Sequence, residues 1–412
     1  MPAMKTFLVG GAVRDELLGF PITEHDWVVV GETPESLLEQ GFKRVGKGFP
    51  VFLHPQTREE YALARTERKI APGYHGFSVH ASPEVTLEED LTRRDLTINA
   101  MARDLDGKLI DPCQGRQDLE LRMLRHISEA FSEDPVRVLR VARFAARYAH
   151  LGFTVADETM ALMESMVKSG EVDALVSERV WAEFARALGE RTPASFITVL
   201  RACGALERLF PELDRLFDVP LSARADAKLN DNAGQQSIRV LENAGQVSEC
   251  VVVRFAALVS GLGAGLEEAS GLAELEDYCE RLRVPGGFRK LATRVILYHE
   301  SCTNSFILSA EKIVAVLEKL DALRKDADLG LFLLVCKAVE QGKTHHDADF
   351  PQGDFLLNCQ RVAQAVDVQA ILRQGLSGRA VGTELKRARV RAVREFIDGF
   401  RGVGKTRTGG AS

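Results

Sequence analysis

At 412 residues the chain is long enough for two to four domains, each with a core of its own. Apolar residues make up 45% and charged residues 27%, the balance of a soluble globular protein, and no apolar run approaches the roughly 20 residues that a membrane span requires. The net charge of −6 argues against a generic basic coat for nucleic acid, although the stretch from Arg373 to Ser412 carries ten Arg and Lys against three acids, a balance suited to a phosphate backbone or to a solvated tail.

The start, MPAMKTFLVGG, lacks the charged, apolar and small-residue order of a secretory leader, so a cytoplasmic protein is expected. The seven cysteines (113, 203, 250, 279, 302, 336, 359) form no CxxC, so neither a zinc knuckle nor a disulfide framework is indicated. Up to about residue 130, short strand-like runs (FLVGG, WVVVG, VFLH, EEYALA, ARDLDGKLID) alternate with the helical AVRDELLG and PESLLEQG.

Within that region Glu24 and Asp26 stand at i and i+2, at the entry of the WVVV run. In a strand such residues project to one face, and two like charges held that close repel unless a cation sits between them. Magnesium suits hard oxygen ligands and leaves coordination positions for water and substrate phosphates. Upstream, Gly10 and Gly11 close a strand and let backbone N–H groups approach a triphosphate, with Arg14 about one helical turn further on. A solvated acidic pair is the plainer alternative; the neighbouring glycines favour metal ligands.

From Asp134 onward the pattern is almost wholly helical, as in PVRVLRVARFAARYAH, ERVWAEFARALGE, PASFITVLRACGALERLF, the apolar spacing around Leu275 to Leu282, and AEKIVAVLEKLDALRK. Arg137, Arg140, Arg143 and Arg147 fall within roughly 120° of one helix face. The helix offers them no acids at i±4, which favours phosphate as their partner over surface ion pairs. Asp134 before Pro135 also reads as a helix N-cap. The polar stretch 217–237 reads as a linker, and 342–354 as a second soft boundary. No internal repeat of fixed period stands out.

GGAVRD followed by EHDWVVVG resembles the signature of the DNA polymerase beta-like nucleotidyltransferases. EEYALARTERK, LEEDLTRRDLTINAMA, IDPCQGRQDL and EDPVRVLRVARFAARYAHLGF, in that order, resemble the motifs of bacterial CCA-adding tRNA nucleotidyltransferases of the poly(A) polymerase family. The resemblance implies an α+β fold: a nucleotidyltransferase head with a polymerase beta-like mixed sheet, followed by an elongated all-α neck, body and tail. It implies two Mg²⁺ ions on Glu24 and Asp26, with Glu60 as a third acidic catalytic group; an exposed strand residue is the alternative for Glu60. The family pair is normally Asp-x-Asp, and Glu24 departs from it.

A nucleotide-binding set of Gly11, Arg14, Arg94, Asp95, Asn99, Glu133, Asp134, Arg137, Arg140 and Arg143 follows from the same resemblance. Within it Glu133, Asp134 and Arg137 match an EDxxR element that stands in for a template base. Cytosine and adenine both present an exocyclic NH₂ beside a ring-nitrogen acceptor, whereas guanine and uracil reverse that order. A fixed carboxylate and guanidinium can therefore admit C and A alone. The segment ERKIAPGYHGFSVHASPEVTLEED resembles the family's flexible loop linked to the final A addition.

Some relatives carry a His-Asp phosphohydrolase domain after the linker. Here Gln236 stands where a ligand histidine is expected and Ser260-Gly261 where the His-Asp pair is expected, and His299 is the only histidine between Arg201 and Lys343. A multi-histidine metal centre cannot be built from that, so the hydrolase is expected to be absent. Residues 375–396 resemble the family's closing helix, with Lys386, Arg387 and Arg389 as tRNA contacts or as a solvated face.

The expected organisation is a catalytic head at 1–130, a nucleotide-selecting neck and body at 131–220, a degenerate His-Asp-like helical domain at 221–345 and a basic helical tail at 346–412. The expected activity is addition of CTP, CTP and ATP to tRNA 3′ ends without a template, releasing pyrophosphate. CC-only, A-only or poly(A) addition, or a catalytically weakened tRNA-binding paralogue, are the alternatives. The implied partners are tRNA, CTP and ATP; no membrane and no protein partner is implied.

Overall fold

The computed structural model describes residues 4–22, 24–45, 51–69, 77–221, 231–264, 268–324, 329–344 and 349–407. The chain forms two compact units, Met1–Pro211 and Glu212–Ser412.

The first unit opens with β1 (Lys5–Val9), α1 (Gly11–Leu17), β2 (Asp26–Val30), α2 (Pro34–Glu39), β3 (Lys43–Val45), β4 (Val51–Leu53) and β5 (Glu60–Leu63). A hairpin of β6 (Thr66–Lys69) and β7 (Phe77–His80) follows, then α3 (Leu87–Thr92), β8 (Ala102–Arg103), β9 (Leu109–Ile110) and α4 (Gly115–Leu121). The strands other than the hairpin form a mixed seven-stranded sheet in the order β3-β4-β5-β2-β1-β8-β9, in which only β2 and β5 run parallel. Their register sets Asp26 beside Glu60, so both side chains leave one face of the sheet.

β2 has a continuous apolar run because both faces of the sheet are covered. Val28 packs with Val9, Ala64, Leu91 and Ala100 on one side, and Val29 with Leu37, Phe42, Phe52 and Leu63 on the other. The carboxylates sit where the strand emerges from this core.

After a short parallel pair, β10 (Met123–Leu124) and β11 (Thr154–Val155), the unit is completed by α5 (Val136–Tyr148), α6 (Asp157–Lys168), α7 (Ser177–Gly189), α8 (Ala194–Ala202) and α9 (Ala205–Leu209). Helix α5 buries Val138, Leu139, Val141 and Ala142 against α7 and α8 and turns its arginines the other way. Asp134 caps its first turn through Val136 N–H at 3.1 Å, with Pro135 standing one residue before the helix.

The second unit begins in α10 (Pro211–Arg215) and continues through α11 (Ala233–Val247), α12 (Val251–Leu258), α13 (Glu268–Arg281), α14 (Gly286–Thr303), α15 (Ala310–Lys319), α16 (Gly330–Thr344), α17 (Pro351–Gln364), α18 (Val368–Leu372) and α19 (Arg379–Arg407). Part of the stretch read as a linker is ordered helix. Asn232 accepts from Gln235 N–H at 2.8 Å, and the Gln235 side chain accepts in return from Asn232 N–H, a reciprocal cap that starts α11 inside 217–237. Residues 222–230 lie outside the described set, as do 345–348 within the second soft boundary and 70–76 of the flexible-loop segment. No described helix is long and apolar enough to cross a membrane.

Candidate active site

The first unit holds a cleft of about 800 Å³ between the sheet edge, the end of α3, and helices α5 and α7. Eleven of the residues expected at the site line it: Glu24 and Asp26; Gly11, Arg14, Arg94, Asp95 and Asn99; and Asp134, Arg137, Arg140 and Arg143. Glu60 and Glu133 do not. Glu60 neighbours Asp26 on the sheet face and is exposed like it, and Glu133 ends a 3-10 turn ahead of α5.

Burial pushes the Asp26 carboxyl above its ordinary value; the Arg94 charge opposes this and the Glu24 charge adds to it. Two hard oxygen donors that repel each other at the mouth of an arginine-lined cleft fit a divalent cation. Among the described residues no group of three or more acidic, His or Cys side chains could hold a metal. His25, between the pair, turns away and meets Glu59 at 3.4 Å, and Glu59 also accepts from Trp27 Nε1 at 3.2 Å.

Gly10 holds φ +66°, and a Cβ there would lie 2.6 Å from Arg94 Nη1. Gly11 has ordinary φ, and its Cβ would make only a 3.5 Å contact with Arg14 Nη2. The stringent glycine is thus Gly10, which the binding set named by sequence omits although the GG pair marked it. Gly10→Ala is expected to cost about 1–2 kcal/mol in urea unfolding, and Gly11→Ala less than half of that.

Arg14 is buried, donates to Asn99 Oδ1 at 2.5 Å and to Asp15 at 2.9 Å, and lies over the Phe144 and Tyr148 rings. Asn99 passes the network on, its Nδ2 donating to Asp95 Oδ1 at 3.0 Å, and Arg140 Nε donates to Asp95 Oδ2 at 2.7 Å. Burial pushes Asp95 up, but the Arg140 charge and the hydrogen bonds from Asn99, Arg140 and Leu96 N–H more than offset it and hold the carboxyl at about 2. Asn99 sits in the 3-10 turn Thr97–Asn99, against which α4 packs so closely that a Cβ on Gly115 would lie 2.2 Å from Thr97 O. The IDPCQG motif serves that packing: Asp111 caps α4 through Gly115 and Arg116 N–H at 2.7 and 2.9 Å.

The arginines of α5 do have acid partners, which corrects the reasoning that they lack them. Arg140 takes Asp95, Arg143 takes Glu183 at 2.7 Å, and Arg147 takes Asp15 at 3.1 Å, all from other elements. Arg137 donates to the carbonyls of Arg93 at 2.8 Å and of Ala130 at 3.2 Å, and Asp134 also accepts from Arg179 at 2.9 Å. Arg65, Arg93, Arg179, Glu183 and Arg186 also line the cleft, and the sequence does not single them out. The three basic residues expected to touch tRNA lie on α19. Lys386 pairs with Glu318 at 2.6 Å, Arg387 approaches Glu384 at 3.7 Å, and Arg389 Nε is buried without a partner.

Comparison with known proteins fits this geometry. A family profile described as "Poly A polymerase head domain" matches residues 6–125, and one described as "Probable RNA and SrmB- binding site of polymerase A" matches 152–217. The Multifunctional CCA protein of Methylococcus capsulatus is 52% identical over 95% of this chain and 95% of its own length. That of Thioalkalivibrio sulfidiphilus is 52% identical over 95% and 98%. In fold, the chain matches an apo CCA-adding enzyme with a TM-score of 0.69 over 95% of this chain and 88% of the other, at 20% identity. It matches the Thermotoga maritima CCA-adding enzyme complexed with tRNA with a TM-score of 0.64 over 95% and 88%, again at 20%. The polymerase beta-like head, the helical remainder and relatives half identical along almost the whole chain place this protein in the family of bacterial CCA-adding enzymes.

Proposed function

We propose that the chain adds C, C and A to tRNA 3′ ends without a nucleic-acid template, using CTP and ATP and releasing pyrophosphate. The observation that carries this reading is one cleft that brings Glu24 and Asp26 together with Arg94, Arg140 and the Gly10–Gly11 turn. A triphosphate laid against the glycines meets backbone N–H groups and guanidinium forks, while its α-phosphorus faces the carboxylates. Glu24 and Asp26 would hold magnesium, which would supply Lewis acidity at the hydroxyl and the pyrophosphate. Positioning and charge compensation by this chain's arginines carry the rest of the rate. Glu60, one strand over from Asp26, serves as a third acid only by reaching around the edge of the lining.

For the base, Asp134 accepts from the exocyclic NH₂ and Arg137 donates to the ring nitrogen. Asp134 Oδ1 accepts from Val136 N–H and Oδ2 from Arg179, and a carboxylate oxygen can accept two hydrogen bonds, so these contacts leave room for the exocyclic NH₂. Arg137 reads the base by exchanging one of its carbonyl partners. We also infer that the four-part division at 130, 220 and 345, tRNA contacts through Lys386, Arg387 and Arg389, and a cytoplasmic location hold for this chain.

The second unit is proposed to lack phosphohydrolase activity. A Cβ on Gly261 would lie 2.5 Å from Ser237 Oγ, leaving no room for an aspartate in the position that faces α11, and His299 Nδ1 is held by Val295 O at 2.9 Å. With manganese, nickel or magnesium the purified protein should release no phosphate from a 2′,3′-cyclic nucleotide.

Feeding labelled CTP and ATP singly and together to tRNAs lacking the terminal three nucleotides should give two-nucleotide products with CTP alone and three with both. A two-nucleotide stop with both supports a CC-only enzyme, and ATP addition only to tRNAs already ending in CC supports an A-only one.

A further inference from the structure

Asp90, in LEEDLTRRD, is a fully buried acid of the head and belongs to neither the metal pair nor the nucleotide set. Its side chain is 0% exposed, and both oxygens are in use. Oδ1 accepts from Arg93 Nη2 at 2.7 Å and Nε at 3.0 Å, and from Arg65 N–H at 3.3 Å; Oδ2 accepts from Arg94 Nη2 at 3.1 Å. Helix α3 makes this possible, because it ends at Thr92 and places Arg93 and Arg94 at i+3 and i+4 of Asp90.

The Arg94 guanidinium is fixed on three sides. Asp90 takes Nη2, Asn99 O takes Nη1 at 3.3 Å, and the bare Cα of Gly10 lies so near that a methyl group there would reach Nη1. Of the donors these contacts leave over, Arg94 Nε is buried with no hydrogen-bond partner. A buried, unpaired N–H on a charged group costs free energy unless a ligand completes it, so Arg94 is held ready for an acceptor in the cleft.

Building on the proposed nucleotide site, we propose that Asp90 is a positioning residue that aims the Arg94 guanidinium, across Gly10, at the phosphates of the incoming nucleotide. It binds no substrate itself. Its charge fixes the rotamer of an arginine that would otherwise lose side-chain freedom only when the nucleotide arrives, so its removal should weaken nucleotide binding rather than tRNA binding.

The test uses the full-length protein with Asp90→Asn, Asp90→Glu, Arg94→Lys and the double variant Asp90→Asn/Arg94→Lys. KM for CTP, KM for tRNA, kcat and direct tRNA binding are measured for each. Asp90→Asn should raise KM for CTP about tenfold or more with tRNA KM and binding within twofold, and Asp90→Glu should restore part of the loss. In the Arg94→Lys background Asp90→Asn should change KM for CTP by less than threefold, because the arginine it orients is gone. Equal losses in CTP and tRNA KM, or multiplicative effects in the double variant, overturn the proposal in favour of a purely structural acid. If Asp90→Asn fails to fold, Arg94→Lys decides: an unchanged CTP KM overturns it. A parent protein that incorporates no nucleotide refutes the functional reading itself, a result separate from any of these.

Discussion

Asp26→Asn is expected to lower nucleotide incorporation by about a thousandfold or more while leaving tRNA binding within about twofold of the parent. The substitution keeps the shape of the side chain and removes one hard, charged oxygen from the Glu24–Asp26 pair in the cleft lining that also holds Gly10 and Gly11. Burial and the Glu24 charge already disfavour the ionised form of Asp26, so the carboxylate is a destabilising group held for chemistry. Thermal unfolding should therefore show Asp26→Asn to be as stable as the parent or more stable, the opposite direction from its activity. A variant that loses stability and activity together would assign Asp26 to the fold instead.

Asp95→Asn should act the other way, through stability first. It breaks the ion pair with Arg140 and turns an amide N–H toward donors that now point at a carboxylate, those of Asn99, Leu96 and Arg140. Loss of a fully buried pair costs about 3–5 kcal/mol, and since the Arg140 side chain is 35% exposed we expect about 2–3 kcal/mol. The pH dependence follows from the depressed carboxyl, about 2 when folded against roughly 3.9 in an unfolded chain. The stabilisation is complete above about pH 4 and is lost as pH falls toward 2. Urea unfolding at several pH values should show the difference between parent and variant shrinking across that window. A difference that stays constant from pH 6 to pH 2 would mean that the Asp95 charge contributes nothing.

The order of strands and helices in the head and the spacing of the carboxylate pair were legible because they are local, whereas the residues found together in the cleft lining were named by the family resemblance. Alternation, glycine pairs and i,i+2 spacing are properties of a few adjacent residues. What was not legible is the set of partners. Acids for Arg140, Arg143 and Arg147 come from Asp95, Glu183 and Asp15, far away in sequence, so an i±4 search on α5 alone could not find them. Asp90 was within reach, since its spacing to Arg93 and Arg94 suits helical ion pairs, yet only its burial separates it from the neighbouring solvated Glu88 and Glu89. Glu60 shows the converse limit: strand register sets it beside Asp26, yet it lies outside the cleft lining, which register alone does not decide. Part of the stretch taken for a linker is the start of α11, which the reciprocal Asn232–Gln235 cap begins in a segment that composition alone assigns to a loop.

The central claim is that the acidic pair and the arginine cleft together extend tRNA. The most direct measurement is incorporation of labelled CMP by the purified full-length chain into tRNA lacking its three terminal nucleotides, with magnesium and with chelator. Label transferred to tRNA only with magnesium, with pyrophosphate released in equal amount, is the expected result. Tight binding of tRNA and CTP with no label transferred at any magnesium concentration would contradict the account and leave a binding protein with a silent site.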